Sequence, residues 1–258
     1  MINTVDAKSQ VLPALLAAVL GLTAAIYQPA VIAKESTEMT LSQTSGTLTP
    51  QQRALIPVAS LAAGGDIEKL SIALEQALDA GVTVNEAKEI LVQVYAYAGF
   101  PRSLNALAEL MKVTEARKSR GLHDELGREP GKPIPKGADL LNAGTANQTQ
   151  LIGAPVKGPL FEFAPAADEY LKTHLFGDIF ERDNVTWQVR ELATVSMLSA
   201  IPGAEAQLQS HMRISMNVGL TEGQLRELAQ TLHERVDPQS AKRANEALAA
   251  ALSARPKT

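Results

Sequence analysis

Apolar residues recur at three- and four-residue intervals through two stretches of the chain, and the breaks between them carry helix punctuation. Thr49, Pro50 and Gln52 have the form of a threonine N-cap, a proline at the first helical position and a glutamine placed for a capping box. The helix they open is predicted to run to about Ala63, where Gly64 and Gly65 break it. From about Ile67, the residues Leu70, Ala73, Leu74, Ala77 and Leu78 make one apolar stripe that stops at Gly81. Thr83 and Glu86 form a second capping box, opening a helix through EAKEILVQVYAYA to Gly99, and Pro101 starts a fourth through PRSLNALAELMKVTEARKS.

The last third of the chain repeats this plan. VTWQVRELATVSMLSA reads as a helix ended by Pro202 and Gly203, and AEAQLQSHMRISMNV as a helix ended by Gly219. Thr221 and Gln224 cap the next, and Asp237 with Pro238 the last. Arg53 and Arg190 stand 137 positions apart, Leu70 and Leu208 138, Gly81 and Gly219 138, and Pro101 and Pro238 137. A nearly constant offset across four matched signals indicates a tandem duplication, with copies at 48–119 and 185–254. In the connecting segment 120–184, Pro130, Pro133, Pro135, Pro155 and Pro159 argue against a long regular helix. The same segment concentrates aromatics, so Phe161, Phe163, Phe176 and Phe180 are expected to pack across the helices and join the copies into one body.

Composition agrees with a helical chain, because Ala, Leu, Glu and Gln abound while aromatics make up only 4% of 258 residues. With Lys+Arg 24 against Asp+Glu 28 and no basic run, no nucleic-acid surface is expected. The absence of cysteine excludes disulfides, thiol nucleophiles and CxxC redox chemistry for this chain. The uncharged stretch from Ser9 to Ala33, followed by Lys34, reads as a signal peptide over 1–33 with cleavage after Ala33. The other readings are an uncleaved anchor and a buried core helix, and Pro13, Gly21 and Pro29 disfavour the second. The expected location is periplasmic or secreted, with no membrane association after cleavage.

Two stretches carry a family resemblance. GVTVNEAKEILVQVYAYAGFPRSLNAL in the first copy and RELATVSMLSAIPGAEAQLQSHMRISMNVGLTEGQLREL in the second resemble the carboxymuconolactone decarboxylase family, as does the connecting FAPAADEYLKTHLFGDIFERD. The implied fold is all-α, with tandem helical-hairpin repeats of the alkylhydroperoxidase D-like type packed into one body. The alkylhydroperoxidase D branch uses a CxxC, a histidine four residues later and an upstream glutamate. Those places fall on Ala204, Gln207, His211 and Glu191, so the proton-transfer pair matches while both sulfurs are missing. Thiol peroxidase activity is thereby disfavoured. The decarboxylase branch has a histidine here and, as the resemblance implies, removes carbon dioxide from a lactone acid without metal or organic cofactor. Family members resemble one another in forming trimers or hexamers, which implies a homo-oligomer.

The residues make physical sense of that chemistry. Loss of carbon dioxide beside a conjugated lactone leaves a dienolate that needs a proton, and an imidazole oriented by a carboxylate suits its delivery. Glu191 precedes Pro202 by 11 residues and His211 follows Gly203 by 8. In an antiparallel hairpin both then lie roughly 12–16 Å from the turn, at about 1.5 Å per residue, and could face each other. A substrate carboxylate would want a cation, with Arg190, Arg213 and Arg102 as candidates. The bland alternatives are a flank histidine beside Leu208, Met212 and Met216, and an Arg190–Glu191 surface ion pair. His174 is expected to order the connecting segment, and His123 and His233 to be solvated. No HxxxH, HxH or carboxylate cluster suggests a metal. Tyr95 and Tyr97, two apart on a helix, cannot share a face. The first copy has Ala54 and Ala73 in place of Glu191 and His211 and cannot run the same relay. The expected function is cofactor-free decarboxylation or proton transfer on a small carboxylic acid or lactone. The alternative is a non-catalytic ligand-binding or assembly protein.

Overall fold

Threonine caps set the register of both copies. In the computed structural model, which describes residues 46–254, Thr49, Thr83 and Thr221 each accept from the backbone N–H three residues on. Gln52, Glu86 and Gln224 each return a side-chain bond to the cap's own N–H, completing three capping boxes. The predicted signal peptide and its cleavage point lie outside the described residues. Helices α1 (Pro50–Gly64), α2 (Ile67–Asp79), α3 (Val84–Ala98) and α4 (Phe100–Ser119) form the first copy. Helices α8 (Trp187–Ser199), α9 (Glu205–Asn217), α10 (Glu222–Arg235) and α11 (Pro238–Ser253) form the second. The described residues are all-helical and contain no strand, and no helix among them is long and apolar enough to cross a membrane.

The copies are not separate bodies. One core cluster gathers Val58, Leu70, Leu74, Ile90, Leu91 and Val94 from the first copy, yet includes Ala193 and Met197 of α8. The other gathers Leu192, Leu208, Met212, Leu225 and Leu228 from the second, yet includes Ile56 of α1. The two central helices therefore trade residues: each lies partly in the other copy's core. Burial of this kind is worth on the order of 1.5–3 kcal/mol per large apolar side chain, so the exchange fastens the halves together.

The connecting segment departs from expectation in two ways. It holds a 15-residue helix, α5 (Ala138–Ile152), despite the prolines around it. Pro135 and Pro155 leave a proline-free interval between them, and Gly153, with φ 86°, ends the helix in the left-handed region before the second is reached. Of the four phenylalanines expected to be buried, Phe176 and Phe180 are, while Phe163 is 89% exposed and Phe161 only partly covered. The two outer rings belong to α6 (Pro159–Phe163), a single turn that, with α7 (Pro165–Tyr170), buries none of its residues. The inner rings belong to a π-helical segment, Leu171–Ile179, and the residue after it, and they pack with Leu151 and Ile214.

A close crossing joins α5 to the π-helical segment. A Cβ on Gly144 would lie 1.8 Å from the carbonyl oxygen of Lys172, and one on Gly177 would lie 2.8 Å from Leu140 Cδ1. Helix propensity alone favours Ala over Gly at position 144 by about 1 kcal/mol. The clash is with backbone, however, and decides the sign. Gly144→Ala is expected to lose about 3 kcal/mol of stability by urea unfolding; an unchanged or raised midpoint would contradict this close packing.

Candidate active site

The Pro202–Gly203 turn folds α8 and α9 back on each other and brings Glu191 against His211. Nδ1 of His211 lies 2.8 Å from Oε2 of Glu191. Glu191 is fully buried, and His211 keeps 8% of its surface. With Glu191 ionised, Nδ1–H donates to it, which fixes the tautomer and leaves Nε2 to accept or deliver a proton. No hydrogen bond among the described residues engages Nε2, and it is not among the buried unpartnered atoms, so it forms the ring's accessible edge.

Arg190, the neighbouring residue, turns the other way and is fully buried. Its guanidinium donates to Glu89 Oε1 at 2.8 Å, to Gln93 Oε1 at 3.1 Å and to the carbonyl of Arg182 at 2.9 Å, with Cζ 5.9 Å from the Phe180 ring centre. Burial acts to raise the Glu89 carboxyl, but hydrogen bonds from Arg182 and Arg190, and their charges, hold it below the usual range. Burial likewise pulls the Arg190 guanidinium down, against the opposing pull of Glu89. The bland reading of an Arg190–Glu191 surface pair does not hold, since both are buried and each has its own partner.

Arg190 has a counterpart that explains it. Arg53, 137 positions earlier, pairs with Glu227, which stands 138 positions after Glu89. Each central helix thus sends an arginine to a glutamate on the third helix of the other copy. The first copy keeps this pair without Glu191 or His211, so the contact belongs to what the two copies share. Of the other two arginines, Arg213 is exposed and reaches Ser210, and Arg102 is exposed with its guanidinium laid over Gly65. The structure brings together Glu191 and His211; it does not bring Arg190, Arg213 or Arg102 into contact with them.

Residues from the first copy complete the surroundings. Tyr97 of α3 meets His211 edge-on, with ring centroids 5.7 Å apart and planes at 81°. Tyr95, two residues earlier, instead stacks on Phe100 at 4.4 Å. Gln93 Nε2 donates to Thr194 Oγ1 at 2.8 Å and to the Arg190 carbonyl at 3.1 Å, tying α3 to α8 beneath the pair. The sequence carries no local signal for the Tyr97 and Gln93 contacts, because they join positions about 100 residues apart.

The remaining histidines lie apart from the pair. His174 bonds Asp178 at 2.8 Å within the π-helical segment, and His123 and His233 are exposed. His233 borders an open groove of about 540 Å³ between α10 and α11, with Arg226, Gln230, Lys242, Asn245 and Glu246. Among the described residues no group of three or more His, Asp or Glu side chains is placed to hold a metal ion.

A duplicated all-α fold with a buried glutamate–histidine pair in its second hairpin, and no thiol, defines the class of protein. The family model for the carboxymuconolactone decarboxylase family matches residues 34–111 and 165–253, well over half of the chain, and the chain belongs to that family. A comparison with curated proteins finds no match.

The two arginine–glutamate pairs are expected to differ in weight. Glu89→Gln leaves a fully buried cation and should cost about 3–5 kcal/mol in denaturant unfolding. Glu227→Gln, at a pair whose arginine is 46% exposed, should cost no more than about 1 kcal/mol. Since the folded-state Glu89 carboxyl is depressed, its contribution is complete above its ordinary value near 4.5 and is lost as pH falls through the lower folded value. Acid unfolding of the wild type should steepen below pH 4.5, and that part of the slope should vanish in Glu89→Gln. Equal losses from the two variants would contradict the assignment.

Proposed function

We propose that the chain carries out cofactor-free decarboxylation, or the proton transfer that completes it, on a carboxylated lactone or enol acid, with His211 carrying the proton and Glu191 orienting it. The observation that carries this reading is the 2.8 Å pair itself, buried on the Glu191 side and open at Nε2. A buried ionic pair is weak evidence for stability, since desolvation offsets most of the attraction. The first copy supplies the comparison: Ala54 and Ala73 occupy the matching places and pack into its core. The fold therefore does without the pair, and a buried carboxylate kept at such expense beside an accessible imidazole points to chemistry.

In the proposed step the bond between the substrate carbon and its carboxylate breaks, and the electron pair passes into the conjugated lactone as a dienolate. Carbon dioxide leaves. The imidazolium of His211 delivers a proton from Nε2 to carbon, Glu191 holding the Nδ1 proton throughout, and the ring is reprotonated from solvent. The uncharged stretch from Ser9 to Ala33 supports export, so the substrate would be one met in the periplasm or outside the cell, by a self-associated form of the chain.

The test is turnover by protein beginning at Lys34, assayed as carbon dioxide release across a panel of lactone and enol acids. His211→Ala should lower the rate by about 100-fold or more, and Glu191→Gln by a smaller factor. No turnover on any acid by folded wild type would replace this reading with ligand binding or assembly.

A further inference from the structure

Buried polar atoms on the three helices around the pair lack partners, among them Nε of Arg190 and Oγ of Ser215. Two concern the pair directly: the hydroxyl of Tyr97, and Oε1 of Glu191, the carboxylate oxygen that His211 does not use. They are complementary, an O–H without an acceptor and an acceptor without a donor, and leaving either unmade in a buried place is costly. They also lie within electrostatic reach. Burial, and then the charge of Glu191, push the Tyr97 phenol above its ordinary range, against the nearby Thr194 hydroxyl and the charge of Arg190, so the phenol stays a neutral donor; Thr194 lies near it without a formed hydrogen bond. The ring is held in place by its edge contact with His211, and Gln93 ties α3 to Thr194 next to it.

We infer that Tyr97, supplied by the copy that lacks the pair, is a positioning residue for it: its hydroxyl donates to Glu191 Oε1, directly or through one bridging water, and so sets how strongly Glu191 holds the Nδ1 proton of His211. The bond draws negative charge away from Oε2 and makes Glu191 a weaker acceptor of the Nδ1 proton. The other charges on this side are Arg190, locked to Glu89, and Arg182 beyond it; none of the three bonds to His211. On the neighbouring α9 positions Arg213 is exposed and reaches Ser210. The inference rests on the proposed function only in naming His211 as the proton carrier, and its consequence is measurable without substrate.

The chain has four histidines, so the imidazole carbon signals of isotopically labelled protein can be followed singly by NMR through a pH titration, with His211 assigned by its loss in His211→Asn. Tyr97→Phe keeps the ring and removes the donor. It should raise the pH at which His211 titrates by roughly 0.5–1 unit, while His123, His174 and His233 stay put. Uniform 3-fluorotyrosine, a stronger donor, should move His211 the other way in an otherwise wild-type chain and leave it unmoved in Tyr97→Phe. A His211 titration that is unchanged or lowered in folded Tyr97→Phe overturns the inference. If that variant does not fold, an unmoved His211 in the fluorotyrosine protein overturns it equally. Absence of turnover would bear on the proposed reaction alone and leave this result standing.

Discussion

The buried Arg190–Glu89 contact is the constraint around which the two copies meet, and a weaker, exposed counterpart joins Arg53 to Glu227. Arg190 reaches from α8 to Glu89 on α3, and Arg53 reaches from α1 to Glu227 on α10. Each passes from the first turn of a central helix to the third helix of the opposite copy, so the central helices cannot slide without breaking one of them. Around this lock the apolar exchange of Ile56 for Ala193 and Met197 becomes possible. The pairs have diverged in environment: the first is sealed under Phe180 and fed by Arg182 and Gln93, and the second is open to water. The sealed one adjoins Glu191 in the chain and fixes the first turn of α8.

The duplication also separates what the fold needs from what the site needs. Both copies keep a threonine cap on the first and third helices, a glycine after the second and the arginine lock. Only one keeps a carboxylate and an imidazole where the other has two alanines. Family membership accounts for the shared part. The unshared part is the Glu191–His211 pair, with one ring nitrogen bound to the carboxylate and the other left accessible.

Much of this was legible in the sequence because it is local. Capping boxes, glycine stops and the 137–138 offset depend on residues a few positions apart, and the facing of Glu191 and His211 follows from counting back along a hairpin. What was not legible depends on the third dimension. Aromatic concentration could not tell Phe176 and Phe180, which meet Leu151 and Ile214, from Phe161 and Phe163 on a peripheral turn. Proline count obscured α5 because only the spacing of the prolines matters. Arg190 invited a substrate role through its adjacency to Glu191, yet adjacent helical positions point about 100° apart, and its partner was a glutamate 101 residues away. The same distance hid Tyr97.

The edge-on contact between Tyr97 and His211 gives the copy with the two alanines a standing it would otherwise lack. Cut free, the second copy would retain its glutamate and histidine but expose the imidazole flank and strand the Arg190 guanidinium without its acid. The first copy would lose its neighbour's contributions to its core. Each half would therefore be left with an incomplete core and unpaired buried groups if separated. The copy without the pair is thereby part of the surroundings of the copy that has it.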